Sequence, residues 1–303
     1  MADPLIAVVG PTAAGKSELA FQLARAHQGE IVSCDSLQVY RGLDIGSAKP
    51  SPEERRALPH HLVDVAEPAD DFSAAEYARQ ARAAVREIAG RGRLPLVVGG
   101  TGLYLRALLQ GLFDGPARDE VLRRRLEALA DRRGDERLHR LLRRVDPDSA
   151  ARVPPRDRVR VIRALEVFAL TGRPLSHHHQ TAPEPLTGFR VLVLVLDPGV
   201  TALRARVEAR TRRMFEAGLV EEVRGLLGRG LSAGLRPLQA IGYRQAVAVA
   251  QGHMSVEQAE RETVTATLRY AKRQRTWFRH QLGGVWCTSA EEAIRAAQAF
   301  LPR

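Results

Sequence analysis

An α/β fold, with a parallel sheet core and an inserted all-helical subdomain, is what three observations predict. The first is the stretch Leu5–Ser17, where a short apolar run, Leu5 to Val9, meets a glycine and leads directly into a helical pattern. The second is that similar short apolar runs recur, most of them ending at Asp or Gly and alternating with helical segments, the pattern of a parallel sheet. The third is that strands vanish between about 116 and 188, where arginine-dense helical segments take over. The core is therefore expected over 1–115 and 189–303, with 116–188 as the insertion.

Leu5 to Ser17 also carries a motif, G-x-x-x-x-G-K-S, from Gly10 through Pro11, Thr12, Ala13, Ala14, Gly15 and Lys16 to Ser17. Strand, loop and helix in that order are the context a phosphate-binding P-loop requires, so the core is read as P-loop NTPase-like. Gly10 and Gly15 let the backbone turn its N–H groups toward phosphate oxygens, and the helix N-terminus adds a favourable dipole. Lys16 supplies a cation and Ser17 a hydroxyl for Mg²⁺. The loop says di- or triphosphate, without saying which.

The 303 residues, 45% of them hydrophobic, suffice for a real core. A formal net charge of +11 points to a polyanionic partner, nucleic acid first, although an arginine-rich composition alone has the same effect. Cys34 and Cys287 are far apart and suggest neither a disulfide framework nor a cysteine metal site. No apolar run approaches ~18 residues and no secretory signal precedes the first strand, so a cytoplasmic monomer without a membrane span is expected.

Along the chain, the helix after the loop should bury Leu19, Leu23 and Ala26. Ile31–Cys34 reads as a second strand with Asp35 at its end, where open parallel sheets place their ligands. A carboxylate beside phosphate suits holding Mg²⁺ or accepting a proton; a turn or cap aspartate is the plain alternative. Residues 41–60 read as loop, His61–Val65 as a third strand, and Ser73–Glu76 as a capping box opening a helix. Leu94–Val98 is another strand, running into Gly99-Gly100-Thr101-Gly102, where glycines allow close approach to a ligand and Thr101 offers a hydroxyl.

In the insertion, helices are predicted near 119–132 and 135–144, and Arg156, Arg160 and Arg163 fall at helical spacing suited to a phosphate backbone. Pro183 and Pro185 should end this region. His177-His178-His179 lacks the spacing of a metal site. Arg190–Leu196 is the most strand-like run. It ends at Asp197, which suits either a Mg²⁺ aspartate or a cap, with Thr201 as N-cap of a helix over about 202–228. That helix carries Arg204, Arg206, Arg210, Arg212 and Arg213. A last long helix, about 255–282, places Arg269, Lys272, Arg275 and Arg279 on one arc, with Arg273 at its edge. Val264, Tyr270, Ala271, Trp277 and Phe278 lie on the opposite arc. With no acid interleaved after Glu262, that basic arc reads as a polyanion contact.

Several stretches in order resemble the tRNA isopentenyltransferase (tRNA dimethylallyltransferase) family of bacteria: Gly10–Ser17, Asp35–Tyr40 with Asp44–Pro50, Gly99–Tyr104, Arg163–Val167, Ala240–Gln245 and Lys272–Arg279. The resemblance implies transfer of a dimethylallyl group from dimethylallyl diphosphate to N6 of adenosine 37, next to the tRNA anticodon, with Mg²⁺ assisting through Ser17 or Thr12. It implies Asp35 as general base, Lys16 and Arg210 on the leaving diphosphate, and Thr101 holding the adenine or Asp35. It makes the insertion the part that embraces the anticodon stem-loop. The implied RNA contacts are Asp35, Ser36, Leu37, Gln38 and Thr101; Val159, Arg160, Val161, Ile162 and Arg163; Gln239, Gly242, Tyr243 and Arg244; and Lys272, Arg273, Arg275, Trp277 and Arg279. Val159 departs from the family's usual Gln. On residues alone, a P-loop kinase of a small metabolite shares the first 110 residues' logic, and a nucleotide-switched RNA-binding protein is a further alternative.

Overall fold

A computed structural model describes residues 2–113, 115–116, 118–180 and 185–301, apart from the side chains of His179 and Gln180. Pro183 lies outside the described residues. The chain divides into two compact units, 1–109 with 186–303, and 110–185.

In the first unit, in chain order, come β1 (Asp3–Val9), α1 (Lys16–Ala26), β2 (Glu30–Ser33), α2 (Pro52–Ala57), β3 (His60–His61), α3 (Ala74–Gly90), β4 (Pro95–Gly99) and α4 (Gly102–Gln110). The helical unit holds α5 (Glu120–Arg133), α6 (Asp135–Val145), α7 (Pro147–Arg152), α8 (Arg158–Thr171) and α9 (Leu175–Gln180). The first unit resumes with β5 (Phe189–Leu196), α10 (Val200–Glu216), α11 (Leu219–Gly228), a 3₁₀ turn (Arg236–Gln239), α12 (Tyr243–Ala250), α13 (Val256–Gln281), β6 (Val285–Cys287) and α14 (Ala290–Phe300).

All six strands are parallel, in the order β3-β2-β4-β1-β5-β6. The fold is α/β with a P-loop-like core. β1 is central, and its side chains alternate: Leu5, Ala7 and Val9 enter one apolar layer, Ile6 and Val8 the other. Burial on both faces explains why β1 reads as continuous apolar sequence. Among the described residues no helix is long and apolar enough to cross a membrane, and both cysteines are buried and free.

Several expectations shift. The apolar stripe of α1 is Leu19, Ala20, Leu23 and Ala24, while Ala26 is exposed at the helix end. The third strand shrinks to two residues, because Leu62 and Asp64 take positive φ and turn the chain away. The loop expected over 41–60 contains α2, whose Ser51 and Glu54 form a full capping box. Ser73 caps α3, but Glu76 turns its carboxylate to Arg79 and Gln80, so only half of that box exists. Asp197 Oδ1 accepts from the Gly199 amide at 3.2 Å, so α10 begins at Val200 and Thr201 lies inside its first turn. The long helix expected over 202–228 is two helices, broken at Gly218 with φ 95°.

Within the helical unit, Leu138, Leu142, Val161, Ile162 and Leu165 form a separate core. Glu166, 0% exposed, accepts from the Asp119 amide (2.9 Å), from both Nε and Nη2 of Arg123 (2.7 and 2.8 Å) and from Arg163 (2.8 Å). Burial alone would raise its pKa; the bonds from Arg123 and Arg163 win and hold it at about 2. His139 is equally structural, its Nε2 bonded to the Val153 carbonyl at 2.9 Å. His178 stacks on Phe113 at 4.0 Å, a packing role.

Candidate active site

The site assembles at the carboxyl ends of β1, β2 and β4. β1 delivers the chain to Gly10, whose φ is 139° and whose Cα faces the Leu196 carbonyl of β5; a side chain there would strike backbone. The loop closes at Gly15 (φ 98°), which starts α1. Lys16 Nζ donates to the Pro11 carbonyl at 2.7 Å, and Ser17 is exposed on the first turn. Burial first, and Arg210 second, lower the Lys16 pKa to about 8.

α10 brings two arginines to this loop, one turn apart. Arg206 Nη1 donates to the Ala14 carbonyl at 2.8 Å, and Arg210 Nη1 to Thr12 Oγ1 at 3.4 Å. The family resemblance singled out Arg210; Arg206 beside it went unassigned. Burial also works against the charge on Arg210, while Asp35 supports it.

Asp35 follows β2. Its Oδ1 accepts from the Leu37 amide at 2.9 Å, so one oxygen serves the turn. Among the described residues Oδ2 has no hydrogen-bond partner. Thr101 stitches this turn to β4: its amide donates to the Cys34 carbonyl (3.2 Å) and its Oγ1 accepts from the Ser36 amide (3.1 Å). Beneath them the Cys34 thiol is pushed up to about 12, chiefly by burial.

The glycines at the end of β4 admit the protein's own groups. A Cβ at Gly99 would meet the Cys34 backbone, at Gly100 the Gln274 amide, and at Gly102 the Trp277 ring. Close approach to a ligand, expected from this run, is thus preceded by close approach of α13.

α13 is where sequence and structure differ most. Gln274 lies on the buried stripe with Ala271 and Phe278. Its Oε1 accepts from the Thr12 amide at 2.9 Å and its Nε2 donates to the Gly100 carbonyl at 2.8 Å. The helical spacing 271, 274, 278 could have found it. Arg275, expected on the basic arc, turns to Asp197 at 2.7 Å. That pair engages both side chains, and the other oxygen of Asp197 already accepts from the Gly199 amide. Lys272, Arg273 and Arg279 remain exposed, with Arg273 over the Tyr270 ring and Arg279 over Trp286.

Other expected RNA contacts fall in two groups. Val161 and Ile162 are buried in the helical core, Tyr243 is buried with its hydroxyl donating to Glu222 at 2.7 Å, and Gly242 is buried beside it. The side chains of Val161, Ile162 and Tyr243 face inward, where packing covers these positions. Arg163 is engaged by Glu166, and Gln38 by Ser33 Oγ (2.8 Å) and the Ala48 carbonyl (3.1 Å). Val159 (74% exposed), Arg160, Gln239 and Arg244 face solvent. Ser36 and Leu37 are half-buried, as is Trp277. Glu222, unassigned from sequence, fixes the 44–46 loop by accepting its Asp44 and Ile45 amides at 3.0 and 2.7 Å.

Among the described residues no group of three or more His, Cys, Asp or Glu could hold a metal ion. A hard cation here would lean on hydroxyl and phosphate oxygens. Ser17 fits that; Thr12 fits it less well, since its oxygen already faces the Arg210 guanidinium.

Comparison with known proteins gives one answer. The family model described as IPP transferase matches residues 38–281. The chain is 50% identical over 300 residues to the tRNA dimethylallyltransferase of Solibacter usitatus, covering 99% of this chain and 97% of that protein. It is 51% identical to that of Myxococcus xanthus over 96% of this chain and 94% of the relative. Among solved structures, the full-length tRNA isopentenylpyrophosphate transferase of Bacillus halodurans is similar, with a TM-score of 0.69, 37% identity and coverage of 98% and 95%. A eukaryotic dimethylallyltransferase acting on tRNA superimposes with a TM-score of 0.76 at 25% identity, over 98% of this chain and 79% of that one.

Proposed function

The chain belongs to the IPP transferase family, and on that premise we propose that it transfers a dimethylallyl group from dimethylallyl diphosphate to N6 of adenosine 37 in the tRNA anticodon loop. The observation that carries the site assignment is the unpartnered Oδ2 of Asp35, one strand removed from the P-loop strand, with its charge felt by Lys16 and Arg210. The relatives described above are transferases, and nothing in them favours a small-metabolite kinase.

The adenine amine is a weak nucleophile, because its lone pair is delocalised into the ring. As the N6–C1 bond forms, Asp35 accepts the N6 proton, and the C1–O bond breaks with its electron pair leaving on diphosphate. Lys16, Arg210 and the loop amides meet the charge that grows on the leaving group, where preorganised donors count most. Thr101 keeps the Asp35 turn in place through Ser36. Ser17 would help to hold Mg²⁺, which would supply further neutralisation of that charge. The base must leave its stack to reach Asp35, so a flipped adenosine is expected. Lys272, Arg273 and Arg279 offer a basic face for RNA phosphates, and the exposed Arg160 a further contact from the helical unit.

Purified protein with Mg²⁺ and dimethylallyl diphosphate is expected to add the mass of one prenyl group to an anticodon stem-loop bearing adenosine 37. Consumption of ATP with a small alcohol, and no such adduct, would overturn the reading.

A further inference from the structure

We propose that Gln274 is a positioning residue for the diphosphate loop, clamping Thr12 from the helix that carries the basic face. The inference rests on reading this loop as the diphosphate cradle.

Gln274 is 6% exposed, and both ends of its carboxamide are used. Oε1 holds the Thr12 N–H and Nε2 holds the Gly100 carbonyl, so one side chain ties the loop to the end of β4. A carboxamide supplies an acceptor and a donor from one flat group; ionised glutamate lacks the donor, and methionine offers no donor and only a weak sulfur acceptor. The absence of a Cβ at Gly100 is what gives the amide room.

Thr12 is thereby held twice, by Gln274 at its amide and by Arg210 at its hydroxyl. Its N–H is an anchor rather than a phosphate donor, and the anion is met further along the loop, toward Lys16 and Ser17. Releasing Thr12 frees the first half of the loop and the aim of Arg210 together. α13 itself has independent anchors, the Arg275–Asp197 pair and the buried Ala271 and Phe278, so losing two hydrogen bonds leaves the helix docked.

The test is Gln274→Met, which fills the same space without the hydrogen bonds. Affinity for inorganic diphosphate is measured by calorimetry, alongside RNA affinity, the KM of each substrate and the melting temperature. Diphosphate affinity should fall, and the KM for dimethylallyl diphosphate should rise, by roughly tenfold, as expected when a buried donor loses its partner. RNA affinity should hold, and the melting temperature should fall by only a few degrees, the cost of the unpaired groups. Unchanged diphosphate affinity overturns the proposal, as does a loss of RNA affinity together with a larger fall in melting temperature, which marks a plain helix anchor. If the variant does not fold, hydrogen exchange on the wild type decides: a slowly exchanging Thr12 amide without ligand supports the clamp, and exchange at the rate of an open loop refutes it. Diphosphate binding that weakens in a protein showing no prenyl transfer keeps the clamp and removes the transferase reading.

Discussion

The molecule meets negative charge in two different ways. In the crevice, Lys16, Arg206 and Arg210 are aimed by named partners: Pro11, Ala14 and Thr12. On the outer face of α13, Lys272, Arg273 and Arg279 are exposed, and on α6 Arg137, Arg140, Arg143 and Arg144 are exposed with no ion pair among the described residues. All three are fixed in direction, and Lys16 and Arg210 are half-buried, which suits one compact diphosphate whose charge changes during reaction. The second is hydrated and adjustable, which suits a long polyanion and a binding energy dominated by released counterions. Arginine count does not distinguish them. Arg163 and Arg275 belong to equally basic sequence yet are committed to Glu166 and Asp197.

The sharpest way to break this contrast is Asp35→Ala. Single-turnover transfer should drop by ~10²–10⁴, the worth of a general base, while RNA binding persists. Turnover within about tenfold of wild type would mean that Asp35 serves only its turn. A smaller effect is expected from pH. Lys16, lowered to about 8, is charged below that value and neutral above it. Diphosphate affinity should therefore be fully present on the acid side and decline as pH rises through about 8, with proton uptake on binding seen calorimetrically above it. Arginine does not titrate in that window, so the guanidinium part of the RNA attraction should cross it without a step. A Lys16→Met protein that keeps the diphosphate step would assign it elsewhere. The smallest effect belongs to the outer face. Neutralising Lys272 or Arg279 should lower the slope of RNA affinity against salt by about 1 each and leave prenyl transfer at saturation intact. An unchanged slope would make that face ordinary solvated surface.

What could be read in advance follows the range of the interactions involved. β1, the P-loop and the strand end at Asp35 are local patterns: apolar runs, glycines and a helix start within a few residues. The helical insertion was visible from the loss of strand pattern, but its limits move to 110 and 185, because the backbone of Leu186 bonds Leu109 and extends the first unit at both ends. The basic arc of α13 is exposed at Arg269, Lys272, Arg273 and Arg279 and departs at Arg275, for a reason sequence periodicity cannot supply. Arg275 shares the arc by angle, but its carboxylate partner, Asp197, lies on another element, 78 positions away in sequence. Gln274 was hidden differently: it stands on the apolar stripe of its helix, where periodicity assigns packing, and only the folded chain brings Thr12 and Gly100 to it. Val161, Ile162 and Tyr243 turn inward on the same principle, since a stretch that contacts RNA still needs side chains to hold its own helix.

The order of strands carries a consequence for biosynthesis. β1 is made well before its seven-residue pairing partner β5, which lies beyond the helical unit. While the ribosome makes residues 100 to 196, β1 is covered on one edge only, by β4. At a typical synthesis speed that interval is on the order of ten seconds. Gly10 finds its backing carbonyl only when Leu196 arrives, and Thr12 its anchor only with Gln274. The loop from Gly10 to Ser17 is thus made before the strand and the helix that shape it, and its full set of contacts forms only once α13 has left the ribosome.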